Sequence, residues 1–355
     1  MNYNNYAVIM AGGIGSRFWP KSKESCPKQF LDMFGTGETL IQQTFNRLKK
    51  ICYVDNIFIV TNKKYKDLCL AQLPDIIENN ILCEPVMRNT APCIAYVSFK
   101  IQSLNKNANI LIAASDHVIF NQDEYIRVVN NCFNIVKQKN ILLTFGIKPS
   151  NPEIGYGYIQ YTNQSLKIFN KVKKVKTFTE KPDKELALNF LESGDFLWNS
   201  GMFIWNVQTI TLAYRKHLRD MYDIFEEGKN FYNNDKEIEF INRMYASCKN
   251  ISVDYGIMEK SDNVYVYPAN FGWSDLGTWG SLYNHLPYDN KKNAVQGDNV
   301  MLYDSYNNII NMPNKKIVVI QGLDNYIVVE HEGILLICKK EQEQRIKDFV
   351  ANLKI

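Results

Sequence analysis

Short apolar runs alternate with amphipathic stretches through the first half of the chain. Leu40 to Leu48 and Tyr125 to Val136 each place their apolar residues on one helical face, and Thr39 is the predicted N-cap of the first helix. Strands and helices that alternate in this way predict an α/β fold with a doubly wound, mostly parallel sheet. In such a sheet, ligands bind beyond the carboxyl ends of the strands. The apolar runs that predict buried strands are 6–10, 56–61, 109–114 and 141–145.

The pattern changes near residue 288. A polar, turn-like stretch precedes several short apolar runs that Asn, Gly and Asp separate, which predicts a small β domain or a stacked β-solenoid. A terminal helix follows, and its apolar face must be buried on its own β domain or in a dimer contact. We therefore predict two domains, 1–287 and 288–355. The apolar runs are 300–303, 308–310, 316–320, 326–329 and 334–338, and the helix face is Ile346, Phe349, Val350 and Leu353.

Composition excludes several classes of protein. The 355 residues carry a net charge of +4 without a dense Lys/Arg block, so we expect no nucleic-acid partner. The eight cysteines include no Cys-x-x-Cys pair, which argues against a zinc cluster or a redox pair. No apolar run approaches the ~20 residues of a membrane span, and no signal peptide is visible, so we expect a cytoplasmic protein.

A glycine-rich turn directly after the first predicted strand carries the strongest chemical signal. Its glycines allow a ligand to approach the backbone closely, and the cations Arg17 and Lys28 suit a polyphosphate. A dinucleotide fingerprint would need glycine where Phe18 stands, and the Gly-Lys-Ser/Thr of a Walker loop does not follow. The residues of the turn are Gly12, Gly13, Gly15 and Ser16.

Two carboxylates are candidates for a metal site. Asp116 follows the third predicted strand, where an acidic side chain can reach a metal, although a turn-capping role stays open. Asp275 lies among glycine and aromatic residues, and a helix N-cap is its alternative role.

Three further segments combine glycine or polar residues with apolar neighbours. Gly157 would let a ligand approach its backbone, although a plain hairpin would look the same. Glu180 and Lys181 would face one cleft if the chain bends before Pro182, and a surface ion pair is the alternative. The amide of Asn199 suits vicinal hydroxyls, because it both donates and accepts.

The chain resembles the sugar-phosphate nucleotidylyltransferases, and among them the mannose-1-phosphate guanylyltransferases. The motif that carries this resemblance is Gly13, Gly15, Arg17, Pro20 and Pro27-Lys28, in that order. Six further motifs follow in family order, so the resemblance covers nearly the whole chain. They begin at Glu84, Ser115, Phe178, Trp198, Ser252 and Phe271.

The resemblance implies a Rossmann-like nucleotidyltransferase sheet and a left-handed C-terminal β-helix, while the apolar face of the terminal helix makes a homodimer the expected assembly. It implies transfer of GMP from GTP to mannose 1-phosphate, with Mg²⁺ on Asp116 and Asp275. Arg17 and Lys28 would neutralise the triphosphate, and Lys181 would hold the sugar phosphate. The implied nucleotide-binding residues are Gly12, Gly13, Gly15, Ser16, Glu84, Asn89 and Thr90, and the implied sugar-binding residues are Gly157, Glu180, Asn199 and Asp254.

Three alternatives stay open at this stage. The same chemistry could use another nucleotide or sugar 1-phosphate, such as that of heptose or glucose. A non-catalytic paralogue that senses nucleotide sugars would be expected to lose the metal or phosphate ligands, which this chain keeps. A dinucleotide-dependent oxidoreductase would need the missing third glycine. Some relatives carry an added mannose-6-phosphate isomerase domain, and we expect this chain to have the single transferase activity.

Overall fold

A computed structural model describes residues 1–166 and 168–353 of the chain. It divides into two compact units, each assembled from separate stretches. The predicted boundary between residues 287 and 288 stays a prediction. The first unit comprises Met1–Gly12, Thr44–Ser115 and Ile119–Trp273, and the second comprises Gly13–Gln43, Asp116–Val118 and the chain from Ser274 onward.

The bounds of the elements follow chain order over the described residues. The strands are β1 (Asn5–Ala11), β2 (Ile57–Asn62), β3 (Ile81–Glu84), β4 (Asn109–Ala114), β5 (Val118–Ile119), β6 (Leu142–Ile147), β7 (Gly157–Leu166), β8 (Phe169–Glu180), β9 (Phe196–Asn206), β10 (Val264–Ala269), β11 (Trp273–Ser274), β12 (Ala294–Gln296), β13 (Val300–Tyr303), β14 (Ile309–Asn311), β15 (Val318–Gln321), β16 (Tyr326–His331) and β17 (Ile334–Lys339). The α-helices are α1 (Leu40–Leu48), α2 (Lys66–Gln72), α3 (Thr90–Leu104), α4 (Gln122–Val136), α5 (Lys184–Ser193), α6 (Val207–His217), α7 (Arg219–Glu227), α8 (Glu237–Met244), α9 (Trp279–Tyr283) and α10 (Ile346–Ala351).

A mixed sheet forms the centre of the first unit. Within the described residues it has nine strands in the order β3-β2-β1-β4-β9-β6-β10-β8-β7. Strand β1 pairs in parallel with β2 and β4, and β6 pairs in parallel with β10. The predicted mostly parallel α/β fold is confirmed, and the four predicted strands are β1, β2, β4 and β6. Strand β9 lies antiparallel between β4 and β6, which the sequence analysis did not predict.

Helices cover this sheet with the faces that their sequence pattern predicts. Helix α4 begins after Asn121, whose side chain accepts a hydrogen bond from the Glu124 amide, and its predicted apolar face is buried. Helix α3 is buried almost all round, because α6 and α7 pack on it as well. Among the described residues, no helix is both long and apolar enough to cross a membrane.

The C-terminal strands of the second unit stack as a solenoid with two walls. One wall is β12-β14-β16-β17 and the other is β13-β15, and consecutive strands alternate between them. The rungs pair in parallel, with Ile309 beside Ile327 and Val300 beside Val318. The predicted β-solenoid is therefore confirmed. The final strand, β17, turns back antiparallel to β16.

Asparagines hold one corner of this solenoid. The Asn308 side-chain amide donates to Asn293 Oδ1 at 2.9 Å, and Asn308 Oδ1 accepts from the Tyr326 backbone amide at 2.8 Å. Each bond joins one rung to the next, and the second satisfies a backbone amide that would otherwise lack a partner there.

The terminal helix packs inside the second unit. Ile346 is fully buried in a core cluster that contains Phe18, Trp279 and Ile327, and Phe349 packs against the same cluster. The predicted burial on its own unit is thus confirmed. The prediction for Leu353 is wrong, because the helix ends at Ala351 and Leu353 is 42% exposed.

Candidate functional site

The glycine turn of the second unit is shaped by the lysine that packs on it. Gly15 has φ 69° and ψ 39°, in the left-handed region that glycine tolerates best. A Cβ on Gly15 would lie 2.5 Å from Lys28 Cβ, so a larger residue would displace the lysine. Arg17 lies on the following single helical turn, Ser16–Phe18, and both Ser16 and Arg17 are exposed.

Lys28 joins the two predicted metal ligands. Its Nζ lies 2.8 Å from Asp116 Oδ2, and it donates to the backbone oxygens of Asp275 and Leu276 at 2.9 Å each. Only 4% of Lys28 is exposed. We call Lys28, Asp116 and Asp275 the lysine cluster.

Asp275 lies in a tight turn. The Ser274 hydroxyl accepts from the Leu276 amide at 3.2 Å, and Asp275 Oδ1 accepts from the Gly277 amide at 3.0 Å. Leu276 is fully buried with φ 49°, an uncommon conformation for a leucine. The hydrogen bonds on both sides of Leu276 hold this conformation.

Asp116 is ionised in this environment. Burial works to raise its pKa, but the positive charges of Lys28 and His117 and the hydrogen bond from Lys28 outweigh that effect. The pKa of Asp116 therefore lies below its ordinary value. The side chain is still about a quarter exposed, at 28%.

The donor set of the lysine cluster fits Mg²⁺. Asp116 and Asp275 are both partly exposed and offer carboxylate oxygens, the ligands that this hard cation prefers. Over residues 1–166 and 168–353, no group of three or more His, Cys, Asp or Glu side chains could hold a metal ion. A pair of carboxylates completed by water and substrate phosphates is the usual way in which proteins bind Mg²⁺.

A second polar cluster lies in the first unit. The Asn199 side-chain amide donates to Asp254 Oδ1 at 2.8 Å, and Asn199 Oδ1 accepts from the Thr144 hydroxyl at 3.2 Å. A Cβ on Gly157 would collide with Glu180 Oε2, so a larger residue there would displace the Glu180 carboxylate. We call Glu180, Asn199 and Asp254 the acidic cluster.

The pKa of Asp254 is raised to about 6. Burial is the largest cause, and the negative charge of Glu180 adds to it, while the hydrogen bond from Asn199 acts in the opposite direction. The acidic cluster therefore changes its charge near neutral pH.

Lys181 bends the chain next to this cluster. Its φ of 48° breaks the extended path of β8 directly before Pro182, as the sequence analysis suggested. The bend brings Lys181 Nζ to 3.5 Å from Glu180 Oε1, and 66% of the Lys181 side chain stays exposed. The bend and the ion pair are both present, and the cleft that the two side chains would share stays a prediction.

Glu84 is a buried acid at the end of β3. The Tyr245 hydroxyl donates to Glu84 Oε1, and Glu84 Oε2 lies 3.8 Å from the position that a Cβ on Gly12 would occupy. Burial raises the pKa of Glu84 to about 7, and the bond from Tyr245 only partly offsets it. Tyr245 lies 161 residues away in the chain, and no local pattern in the sequence pointed to it.

Asn89 and Thr90 begin helix α3. Asn89 combines φ 67° with ψ −172°, a backbone region that is almost reserved for glycine. Its side-chain oxygen accepts from the Thr90 amide at 2.9 Å, and Thr90 Oγ1 accepts from the Val253 amide at 2.9 Å. The structure thus brings the predicted residues into two clusters and two smaller sites, at Glu84 and at the start of α3.

A family model for nucleotidyl transferases matches residues 6–292 of the chain. The chain belongs to the nucleotidyl transferase family. A second model, for the β-helix domain of mannose-phosphate isomerase and GMP-like proteins, matches residues 298–353.

Similar proteins indicate which kind of nucleotidyl transferase the chain is. The chain is 35% identical over 353 residues to a mannose-1-phosphate guanylyltransferase of Klebsiella pneumoniae, covering 98% of this chain and 73% of the relative. It is 36% identical over 350 residues to the alginate biosynthesis protein AlgA of Pseudomonas putida, covering 98% of this chain and 71% of that protein. A crystal structure from Thermus thermophilus, described as a mannose-1-phosphate geranyltransferase, superimposes with a TM-score of 0.88 at 25% identity, over 99% of this chain and 100% of that one. The chain is accordingly a sugar-phosphate nucleotidyltransferase.

Proposed function

We propose that this enzyme transfers GMP from GTP to α-D-mannose 1-phosphate and releases pyrophosphate. The observation that carries the proposal is the lysine cluster, in which Lys28 gathers Asp116 and the Asp275 turn beside the glycine turn. The identity of 35% to the Klebsiella guanylyltransferase over nearly the whole chain supports the choice of substrates.

The reaction needs positioning more than it needs a base. An oxygen of the mannose phosphate attacks the α-phosphorus of GTP, and the bond from that phosphorus to the bridging oxygen of the β-phosphate breaks. A phosphate monoester has its second pKa at about 6, so the nucleophile is already largely a dianion at neutral pH. The protein therefore has to align two polyanions and neutralise their charge.

Asp116 and Asp275 are the residues that would hold Mg²⁺. When bound there, the cation would stabilise the charge that develops on the phosphate oxygens. The lowered pKa of Asp116 keeps this carboxylate ionised throughout the neutral range. Arg17 is exposed beside the glycine turn, and together with Lys28 we assign it to the triphosphate and the leaving pyrophosphate.

The sugar phosphate is assigned to the acidic cluster and Lys181. Glu180, Asn199 and Asp254 together offer acceptors and an amide donor, which suit vicinal hydroxyl groups. The exposed ammonium of Lys181 is assigned to the phosphate of the same substrate. Gly157 leaves the space that the Glu180 carboxylate occupies.

Guanine is assigned to Glu84. The ionised form of Glu84 accepts hydrogen bonds only, and the N–H donors that guanine presents at N1 and at its amino group would favour this form, whereas N1 of adenine is an acceptor. Tyr245 orients Glu84 by donating to its other oxygen. Asn89 and Thr90 are assigned to the same nucleotide because they follow this acid in the chain.

The proposal is tested by measuring pyrophosphate release from each of the four common ribonucleoside triphosphates with a panel of sugar 1-phosphates. We expect the highest kcat/KM for GTP with mannose 1-phosphate. A higher value for glucose or heptose 1-phosphate, or for another nucleotide, would replace the substrates named here. The predicted homodimer stays a prediction, and light scattering of the purified protein tests it.

A further inference from the structure

Tyr245 meets Glu84 from the side of the hydrophobic core. Its side chain is fully buried among apolar residues, and its ring lies edge-on to that of Phe225, with the two centroids 6.1 Å apart. Its hydroxyl donates to Glu84 Oε1. Because the core encloses the ring, a ligand cannot take the place of this hydroxyl without disturbing close-packed side chains.

The other carboxylate oxygen of Glu84 faces the glycine turn. Glu84 Oε2 lies 3.8 Å from the position that a Cβ on Gly12 would occupy, and the missing side chain of Gly12 leaves space beside this oxygen. Only 5% of Glu84 is exposed, so water reaches little of the carboxylate. A nucleobase that does not donate to such an acceptor leaves it unsatisfied, which costs about 1–3 kcal/mol.

The groups around this pair leave Tyr245 as the donor. Burial raises the pKa of Glu84 to about 7, and the hydrogen bond from Tyr245 acts in the opposite direction. Tyr245 stays neutral, since burial and the charge of Glu84 both raise the pKa of its hydroxyl. The thiols of Cys93 and Cys248 lie near the pair, each with its pKa raised by burial, and the Arg88 guanidinium lies near Cys248.

We propose that Tyr245 is a positioning residue for the nucleobase, which holds Glu84 from the core with Oε2 turned toward Gly12 and thereby sets the preference for guanine over adenine. The inference rests on the proposed function, because it takes Glu84 as the group that meets the base. A hydrogen bond to a carboxylate favours its ionised form. Ionised Glu84 accepts from the N–H donors of guanine, whereas protonated Glu84 can donate to N1 of adenine.

The test measures the ratio of kcat/KM for GTP to kcat/KM for ATP between about pH 6 and pH 9. The triphosphates titrate alike, so their ionisation cancels in this ratio. For the wild type we expect the ratio to rise with pH through about 7, because Glu84 is ionised above its pKa.

Y245F removes one oxygen atom and keeps the ring. We expect the ratio at pH 7 to fall about tenfold or more, because the ionised acid loses its donor. The midpoint of the rise should move to higher pH for the same reason. The loss should appear in the KM for GTP more than in kcat, since contacts to the base are alike in the ground state and the transition state.

The matched control is Y96F. Tyr96 belongs to the same core cluster, and its hydroxyl donates to the buried Glu237 at 2.7 Å. Y96F therefore loses a bond of the same kind to a different acid. We expect it to lower the free energy of unfolding but to leave the ratio and its pH dependence as in the wild type. Equal changes of the ratio in Y245F and Y96F, or none in Y245F, would overturn the inference.

A double-mutant cycle tests whether Tyr245 acts through Glu84. E84Q carries no charge at any pH, so its ratio should be low and independent of pH. Adding Y245F to E84Q should then change the ratio by less than about twofold. A tenfold loss in the E84Q background as well would show that Tyr245 acts by another route, and the inference would fail.

Two further outcomes are distinguishable. If Y245F does not fold, 3-fluorotyrosine is placed at position 245, where fluorine makes the hydroxyl a stronger donor. The midpoint should then move to lower pH, and an unchanged midpoint would overturn the inference. If the wild type shows no guanylyl transfer, the proposed function fails. The carbon-13 signal of the Glu84 carboxyl, identified by its absence in E84Q, then decides the role of Tyr245: a higher pKa in Y245F supports it, and an equal pKa overturns it.

Discussion

Partly buried carboxylates lie beside a cation in one unit of this protein and beside another carboxylate in the other. In the lysine cluster, Lys28 lies 2.8 Å from Asp116 and lowers its pKa. In the acidic cluster, burial and the charge of Glu180 raise the pKa of Asp254 to about 6. The same chemical group is therefore held ionised in one place and close to titration in the other.

Under the proposed roles, the two clusters differ in how well they tolerate a loss of charge. A carboxylate that serves a metal and a triphosphate has to stay ionised, and a fixed ammonium ensures that. A carboxylate that serves sugar hydroxyls can bind in either protonation state, because a protonated acid still both donates and accepts. Substitutions in the two clusters should accordingly have different effects, and the following predictions run from the largest to the smallest.

The largest effect is expected for D116N and D275N, each made singly. Either change removes a charged oxygen ligand without altering the size of the side chain, so kcat should fall about 10²- to 10³-fold. The measurement is pyrophosphate release as a function of Mg²⁺ concentration. The exposed Asp298 provides the control variant, D298N. Turnover of D275N at the wild-type rate and with the same Mg²⁺ dependence would remove Asp275 from the proposed site.

The next effect concerns the core that supports the lysine cluster. Ile346 is fully buried in the same apolar cluster as Phe18 and Leu276. I346A should lower the free energy of unfolding by about 3 kcal/mol, since it leaves a cavity in that core. Urea unfolding followed by tryptophan fluorescence measures this loss, and Trp279 reports from the same cluster.

The control for this prediction is L353A, because Leu353 is 42% exposed and lies beyond the last helix. An equal loss in both variants would show that Ile346 makes no particular contribution to the core. We also expect I346A to lose its transfer activity at a lower urea concentration than the one that unfolds the first unit.

The third effect is a gain in the free energy of unfolding when Asp254 of the acidic cluster is replaced, and this gain depends on pH. Because the folded-state pKa of Asp254 is raised to about 6, ionising it above that pH costs folding free energy, and below about pH 4 this cost is absent. D254N removes the cost, so it should be more stable than the wild type by about 2 kcal/mol at pH 8. Urea unfolding at pH 8 and at pH 4 measures the difference, which should vanish at the lower pH. A difference that does not depend on pH would mean that Asp254 is not the titrating group.

The smallest effect is expected for an exposed ion pair within the second unit. Lys23 and Glu332 lie 2.6 Å apart, but the Glu332 side chain is 67% exposed. Solvent and salt screen such a pair, so E332Q should shift the Tm by less than about 2 °C. Differential scanning calorimetry measures it. A larger shift would indicate that this pair helps to hold the second unit together.

The sequence predicted much of the fold because its local patterns agree with the final packing. Strand β1 is apolar on both faces, as expected for the centre of a sheet that helices cover on both sides. The short C-terminal runs also became strands close to their predicted bounds, for example β13 at Val300–Tyr303. Strand β9 could not be placed in the same way, because its position between β4 and β6 depends on pairing with distant residues.

The candidate site was predicted residue by residue, but its internal contacts were not. Motif order pointed to Lys28, Asp116 and Asp275 separately. The left-handed conformation of Leu276 and the three bonds of Lys28 arise from long-range packing, and neither leaves a trace in the sequence near those residues. Tyr245 was missed for the same reason, since only the folded chain brings it to Glu84.

The second unit joins a segment near the start of the chain to the last helix, and this has a consequence for biosynthesis. Phe18 and Ile346 share one apolar cluster. A ribosome adds about 5–20 residues per second, so the glycine turn emerges tens of seconds before Ile346 exists. During that interval the turn lacks the side chains that bury Phe18 in the finished protein. A nascent chain therefore carries the glycine motif long before it can form the lysine cluster, and nucleotidyl transfer has to wait until the last helix has been synthesised.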